Sequence, residues 1–193
     1  ELVQTELIGT MLVLIVQFFT CCHLLVSFTS QDRERGTLMA LALSPARISE
    51  ILVAKLLFHL TLSVMGSTLI VAVLQPEALL RPLFWLVMLI TSVGLMCVGM
   101  CISAVAKTQS AAGLLALCYM LAGALLFYLA SQYTVFSLLK RLTFESYSFP
   151  LLYATLKAGV GVMQVAGPLS SMAVIVAVWL LVARQVFYRS GWR

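Results

Sequence analysis

Five long apolar runs constrain the fold of this chain more than any other feature of its sequence. They cover roughly residues 7–28, 51–74, 83–105, 111–130 and 168–187. A helix needs about 20 mostly apolar residues to cross a bilayer. Backbone groups in hydrocarbon must pair within their own segment, so runs of this length predict helices. We therefore expect five transmembrane helices.

The composition supports the same conclusion. The chain is 62% hydrophobic and 10% charged, whereas soluble domains are about half apolar and about a quarter charged. The net charge of +5 does not indicate nucleic-acid binding, because the basic residues cluster near the ends of the apolar runs, where lipid headgroups and topology explain them. We predict an all-α polytopic membrane protein, with residues 1–193 forming a single transmembrane domain and no nucleic-acid partner.

Residues 29–50, between the first two runs, carry a charged cluster and then an amphipathic stretch. Gly36 permits a turn that a side chain would obstruct, and the Thr37 hydroxyl can cap a helix that follows it. Ser44 before Pro45 is a typical helix start, with a capping side chain and a proline in the first turn. The pattern predicts a short amphipathic helix at the membrane surface that leads rigidly into the second span.

A cluster of alternating charge opens this insert: Asp32, Arg33, Glu34 and Arg35. One interpretation is contact with a protein in the cytosol. The other is a solvated cluster that faces headgroups, since exposed ion pairs contribute little alone. The alternating signs and the position favour contact with a protein. Lys55, one turn into the second span, is expected to snorkel to the interface rather than to contact a substrate.

The distribution of lysine and arginine predicts the orientation. If residues 29–50 are cytoplasmic, that side holds most of the basic residues, as the positive-inside rule requires. The C-terminus is then also cytoplasmic, and residues 131–167 are external. Because the chain begins at Glu1 without a methionine, we expect the protein to continue upstream. Residue 1 faces outward in this orientation, so a cytoplasmic N-terminus would require a sixth span there. We expect the plasma (inner) membrane of a bacterium as its location.

The connection over residues 131–167 is long but not polar, and its two apolar pieces are too short to cross a bilayer. We predict two short re-entrant helices, within about residues 135–144 and 148–159, that enter and leave the outer leaflet. The alternative is one sixth span through residues 146–165, which would bury Lys157 without a visible partner.

Charged side chains and histidines are the candidates for a transport pathway. The re-entrant helices would leave four charged side chains near the membrane interface: Lys140, Arg141, Glu145 and Lys157. The first three either gate an exit path or lie among headgroups, and the sequence leaves both open. His23 and His59 lie inside spans, where an imidazole can relay a proton or bind haem iron, but packed histidines are the favoured interpretation. The possible pathway or gate residues are His59, Lys140, Arg141 and Glu145.

The cysteines indicate packing rather than chemistry. All five lie inside predicted spans. Cys97 and Cys101 share a helix face at a spacing that suits a metal, but no third ligand lies near them in sequence. Gly94 and Gly99 belong to the same small-residue face, which suits close helix contact. We expect neither a metal site nor a disulfide framework.

The residues in and around the insert follow an ordered pattern of acidic residues, Gly-Thr-Leu, Ser-Pro and a lysine that opens the next span. They are Asp32, Glu34, Gly36, Thr37, Leu38, Ser44, Pro45, Glu50 and Lys55. The pattern resembles that of the permease subunits of ABC type-2 exporters, from which the chain departs at Met39, where many members carry glutamate. The resemblance implies a coupling helix seated in a groove of a separate ATPase subunit. The implied docking residues are Asp32, Glu34, Gly36, Thr37, Leu38, Ser44 and Pro45.

The resemblance also implies export. It implies a homodimer or heterodimer of permeases among membrane lipids, with ATP and Mg²⁺ bound on the partner ATPase. The apolar pathway lining and the outer-leaflet helices favour a lipid, a drug-like amphiphile or a glycan-lipid as the substrate over a hydrophilic ion. The chain has no Walker glycine loop and no Gly-x-Ser-x-Gly elbow, so we expect neither enzymatic activity nor a cofactor in it. Two alternatives stay open: a haem-exporter-B-like permease of cytochrome c maturation, and a membrane-embedded enzyme or non-transporting scaffold.

Overall fold

The computed structural model describes residues 2–36, 48–157 and 162–190, and the regular structure within those ranges is helical. Its elements, in chain order, are α1 (Leu2–Gln17), a π-helical segment (Phe18–Leu24), α2 (Leu25–Glu34), α3 (Ile48–Leu74), a 3₁₀ turn (Pro76–Leu80), α4 (Pro82–Val105), α5 (Gln109–Gln132), α6 (Thr134–Lys140), α7 (Glu145–Leu156) and α8 (Val162–Ser190). The first three continue one another as one long helix. The all-α class predicted from the sequence is confirmed.

Within the described ranges, five helical stretches are long and apolar enough to cross a membrane: Gln4–Glu34, Glu50–Leu74, Pro82–Val105, Gln109–Gln132 and Val165–Val186. They confirm the five predicted spans. The first is longer than predicted, because the helix continues through the charged cluster to Glu34 instead of ending near residue 28. Contacts from this cluster to three other helices hold the polar extension in helical form.

α4 lies at the centre of the bundle. In its most apolar stretch 67% of the residues are buried, against 39% in the first span and less in the other three. It packs most extensively against α8, and also contacts α2, the π-helical segment and α7. The predicted small-residue face lies where two neighbours come close. A Cβ added at Gly94 would lie 2.9 Å from the Phe144 ring, and one at Gly99 would lie 3.3 Å from the Cys22 carbonyl oxygen.

Two short helices, α6 and α7, follow α5 where two were predicted, although α7 begins at Glu145, three residues before its predicted range. We call residues 134–156 the hairpin. α6 runs back along α5, which brings the Lys140 ammonium 4.5 Å from the centre of the Phe127 ring. α7 ends at Leu156, and Lys157 is extended. The alternative of one continuous helix through residues 146–165 is therefore wrong. Insertion of the hairpin into the outer leaflet stays a prediction.

The bundle has two ends, which we name by what they carry. The insert end holds the end of α2, the start of α3 and the turn 106–108 between α4 and α5. The hairpin end holds the 3₁₀ turn, the start of α4 and the end of α5. Both ends of the hairpin lie there, because α6 follows α5 directly and Arg81 donates to the last carbonyl groups of α7.

Candidate functional site

The insert end is held by side chains at the end of α2, where three consecutive residues contact three other helices. The first, Asp32, forms an ion pair with Lys55 of α3. The Lys55 side chain is 20% exposed and that of Asp32 is 31% exposed, so salt screens the pair less than it would a pair on an open surface. Lys55 therefore reaches the insert end, as its predicted snorkelling requires, but it does so to meet a carboxylate of its own chain.

The next two residues contact the two ends of the α4–α5 turn. The Arg33 Nη1 donates to the carbonyl oxygen of Ala106, at the C-terminal end of α4, over 3.0 Å. The backbone N–H of Gln109, the first residue of α5, donates to the Glu34 Oε2 over 3.0 Å. The carbonyl end of a helix carries partial negative charge and the N–H end partial positive charge. Each of the two side chains therefore meets a helix end of opposite charge.

Gly36 ends α2 directly after these contacts. Its φ is +70°, a left-handed conformation that glycine adopts without steric cost. Its N–H donates to the Arg33 carbonyl oxygen over 3.1 Å, and that of Arg35 donates to Gln31 over 2.9 Å, which satisfies carbonyl groups at the helix end. The turn predicted at Gly36 is confirmed. The charged cluster of the insert therefore ends α2, and the rest of the insert follows Gly36.

Part of the predicted docking set lies outside the described residues: Thr37, Leu38, Ser44 and Pro45. The coupling helix therefore stays a prediction. Asp32 and Glu34 are described, and both contact other helices of this chain. Sequence reasoning missed these contacts because the partners lie 23 and 75 positions away.

Comparison with known protein families shows which family this chain belongs to. The family model of the ABC-2 type transporter matches residues 2–156, which is most of the chain. This chain belongs to the ABC-2 type transporter family. No curated protein and no solved structure matches it. The resemblance found in the insert is confirmed, and the match does not support the haem-exporter alternative.

As a member of the ABC-2 family the chain is the permease of an ABC transporter, a transport subunit. Permeases of this family typically work with an ABC ATPase. The five apolar helices and the family together make it an integral, multi-pass membrane protein.

The two histidines of the ABC-2 permease pack against aromatic rings. The His59 Nδ1 lies 2.8 Å from the Lys55 carbonyl oxygen, and its ring meets Phe58 edge-on. His23 meets Phe19 edge-on. In the part of the chain that the structure describes, no three His, Cys, Asp or Glu side chains are grouped to hold a metal. The ring contacts support the packed interpretation of both histidines.

A buried polar cluster links three spans of the ABC-2 permease and was not predicted. The Gln17 side chain has no exposed surface, and its Nε2 donates to the Met88 carbonyl oxygen over 3.0 Å and to the Ser92 Oγ over 3.2 Å. The Ser63 Oγ lies 3.0 Å from the same Ser92 Oγ. Hydrogen bonds of this kind join helices in an apolar interior. The glutamine inside an apolar run could have predicted this cluster, because burial of its amide group is costly unless the amide is hydrogen-bonded.

The four predicted pathway or gate residues of the ABC-2 permease do not form one cluster. His59 lies one helical turn from Lys55 and thus near the insert end, while Lys140, Arg141 and Glu145 belong to the hairpin. Lys140 lies over the Phe127 ring, and Arg141 is exposed. The prediction that these residues act in transport remains a prediction.

Glu145 departs from its expected place near the membrane interface. It accepts a hydrogen bond from the Tyr119 hydroxyl, and Tyr119 lies near the middle of α5. The preceding residue, Phe144, is fully buried and lies against Gly94 near the middle of α4. Burial of this ring draws the hairpin tip toward the centre of the bundle, and the Tyr119 hydroxyl supplies the donor that the carboxyl group needs there.

Proposed function

We propose that this permease is the membrane-spanning subunit of an ATP-driven exporter and that its insert docks on a separate ATPase subunit, which binds ATP and Mg²⁺. The contacts at the end of α2 carry this proposal. The insert leaves α2 at Gly36, and the residues just before it join α2 to α3, α4 and α5. A partner that displaces the insert therefore acts on the ends of four helices together.

We propose an apolar or amphiphilic substrate, such as a lipid, a drug-like amphiphile or a glycan-lipid, in a pathway between two permease copies of a homodimer or heterodimer. A stripe of exposed apolar side chains on α5 supports this. Its members recur at helical spacing: Leu114, Leu121, Leu125 and Tyr128. Such a face suits contact with lipid, with a second copy, or with a substrate that moves between them.

Site-specific photo-crosslinking in the native membrane tests the docking. A crosslinker is placed in the full-length protein at Leu38 or at Ser44, in cells of the native host, and adducts are identified by mass spectrometry. We expect ATPase adducts from both positions, because they lie in the insert. The matched control is Ser137, in α6 at the hairpin end, from which no ATPase adduct is expected. Adducts from Ser137 with none from Leu38 and Ser44 would contradict the proposal.

Thiol labelling of intact bacteria tests the proposed orientation, with the insert facing the cytoplasm across the plasma membrane. The variants are Ser137→Cys and Ser44→Cys, each combined with Cys118→Ser. A membrane-impermeant maleimide should label the first and spare the second. The reverse pattern would place the insert outside and would remove the basis for docking.

A further inference from the structure

We propose that Asp32, Arg33 and Glu34, the α2 triplet, are positioning residues that carry movement of the insert to the turn 106–108 between α4 and α5. This inference rests on the proposed function, since it needs a partner that moves the insert. It assigns Asp32 and Glu34 a different role from the direct ATPase contact that the sequence predicted. The triplet acts inside the permease, and ATPase contact is left to the residues beyond Gly36.

The triplet lies directly before the part of the insert that follows Gly36. Glu34 is the last residue of α2, and the chain turns into the insert at Gly36. The backbone of this last turn is hydrogen-bonded, with the Arg35 N–H donating to Gln31 and the Gly36 N–H donating to Arg33. Only Arg35 and Gly36 separate the triplet from the rest of the insert, so a displacement of that part acts directly on the triplet.

Arg33 and Glu34 contact the two helix ends that flank the turn 106–108. Arg33 is a cation at the C-terminal end of α4, and Glu34 is an anion at the N-terminal end of α5. Both match the partial charge of the helix end that they meet. Both are charge-assisted hydrogen bonds, of which the Arg33 contact is partly buried and the Glu34 contact is exposed and therefore weaker. Because the two residues are adjacent and opposite in charge, they fit the two helix ends that flank a single turn, the end of α4 and the start of α5.

The triplet is also connected to α3. Asp32 pairs with Lys55, one helical turn before the buried His59, whose Nδ1 lies 2.8 Å from the Lys55 carbonyl oxygen. The triplet therefore holds the start of the span that follows the insert as well as the turn between the next two spans. A purely local role, such as capping α2, would not require contacts with three other helices.

Hydrogen–deuterium exchange of the assembled transporter in nanodiscs tests the inference. Deuterium uptake is compared between the nucleotide-free state and the state trapped with MgATP and orthovanadate, in peptides covering the insert and the turn 106–108. The test variant is the double substitution Arg33→Gln/Glu34→Gln. Lys107→Gln is the matched control, because Lys107 is an exposed cation of the same turn that forms no hydrogen bond or ion pair with the described residues. Arg33→Lys is the conservative variant, which keeps the charge and a donor.

In the wild-type transporter, trapping should change uptake in both peptides. In the double variant, the insert peptide should still respond, whereas the response of the turn peptide should fall to background. Lys107→Gln should keep both responses, and Arg33→Lys should restore much of the turn response. A purely structural role would alter basal uptake in the turn without removing only its nucleotide response.

Two results would overturn the inference, and they are distinguishable. If the turn peptide of the double variant responds as in the wild type, the triplet does not carry the movement, although the proposed function stands. If the insert peptide of the wild type does not respond to trapping, the docking proposal fails and this inference fails with it.

Discussion

The two ends of this bundle are held by charged side chains in different ways. At the insert end, three consecutive residues of α2 reach α3, α4 and α5. At the hairpin end, one side chain, Arg81, donates through Nη1 to the carbonyl oxygens of Thr155, Leu156 and Lys157, at distances of 2.7, 3.1 and 2.8 Å.

This difference indicates how each end of the bundle can move. Asp32, Lys55 and Arg33 are partly buried, so releasing one of their contacts would leave a partly buried charge unpaired, which is costly. The hairpin is held mostly by apolar burial of Phe144, Leu151 and Leu152, which has no fixed direction, and by one arginine at its exit. We therefore expect the insert end to move as a unit and the hairpin to shift against the other helices.

The largest expected effect comes from Gly94→Leu, which tests how the hairpin tip is seated. The added side chain would enter space held by the Phe144 ring at 2.9 Å and the Val176 Cγ2 at 3.1 Å. Overpacking of this kind should lower the free energy of unfolding by about 3 kcal/mol, measured by SDS titration in mixed micelles. The matched control is Gly123→Leu, where an added Cβ meets nothing within 4 Å, so little change is expected. Equal losses in the two variants would contradict the close approach of the tip to α4.

The next effect tests whether the insert end is held through charge. Asp32→Lys places two ammonium groups together and should cost about 2 kcal/mol, less than a fully buried pair because both side chains keep some exposure. The swapped double variant Asp32→Lys/Lys55→Asp should recover most of the loss, as a direct pair requires. If the double variant is no more stable than the single ones, the ion pair is not what joins α2 to α3.

A smaller effect is expected from Arg81→Ala, which tests whether the two ends of the bundle are held independently. Loss of these charge-assisted hydrogen bonds should lower the free energy of unfolding by about 1.5 kcal/mol and raise deuterium uptake at the end of α7. Uptake in the turn 106–108 should not change. Arg81→Lys should lie between the wild type and alanine, because lysine keeps the charge but loses the planar donor group. An equal rise in uptake at both ends would show that the two ends are not held independently.

The smallest effect is expected from Tyr119→Phe. It removes the hydroxyl that donates to Glu145 and should cost about 1 kcal/mol, the usual net value of one hydrogen bond. The control is Tyr128→Phe, since Tyr128 is 66% exposed and should tolerate the change. If both variants unfold at the same SDS fraction as the wild type, the carboxyl group of Glu145 does not depend on Tyr119.

Much of the fold was predictable because it depends on local patterns. The length of each apolar run predicts a spanning helix, since the backbone must satisfy its own hydrogen bonds in hydrocarbon. The turn at Gly36 and the pair of short helices after α5 were predictable for similar reasons, from a glycine and from apolar pieces that are too short to span. The position of Glu145 was not predictable, because it depends on where Phe144 packs.

The sequence by itself determined the five spans, the turn at Gly36 and the family pattern of the insert, because hydropathy and backbone conformation act within a segment. It left the partners of Arg33 and Glu34 open, and a contact with another protein suited their charges as well. Only the tertiary structure brought Ala106 and Gln109 to them across 73 and 75 positions of chain. The reason is physical: a charge takes the oppositely charged helix end that packing places within reach, and packing at Gly94 and Gly99 depends on every helix that meets α4.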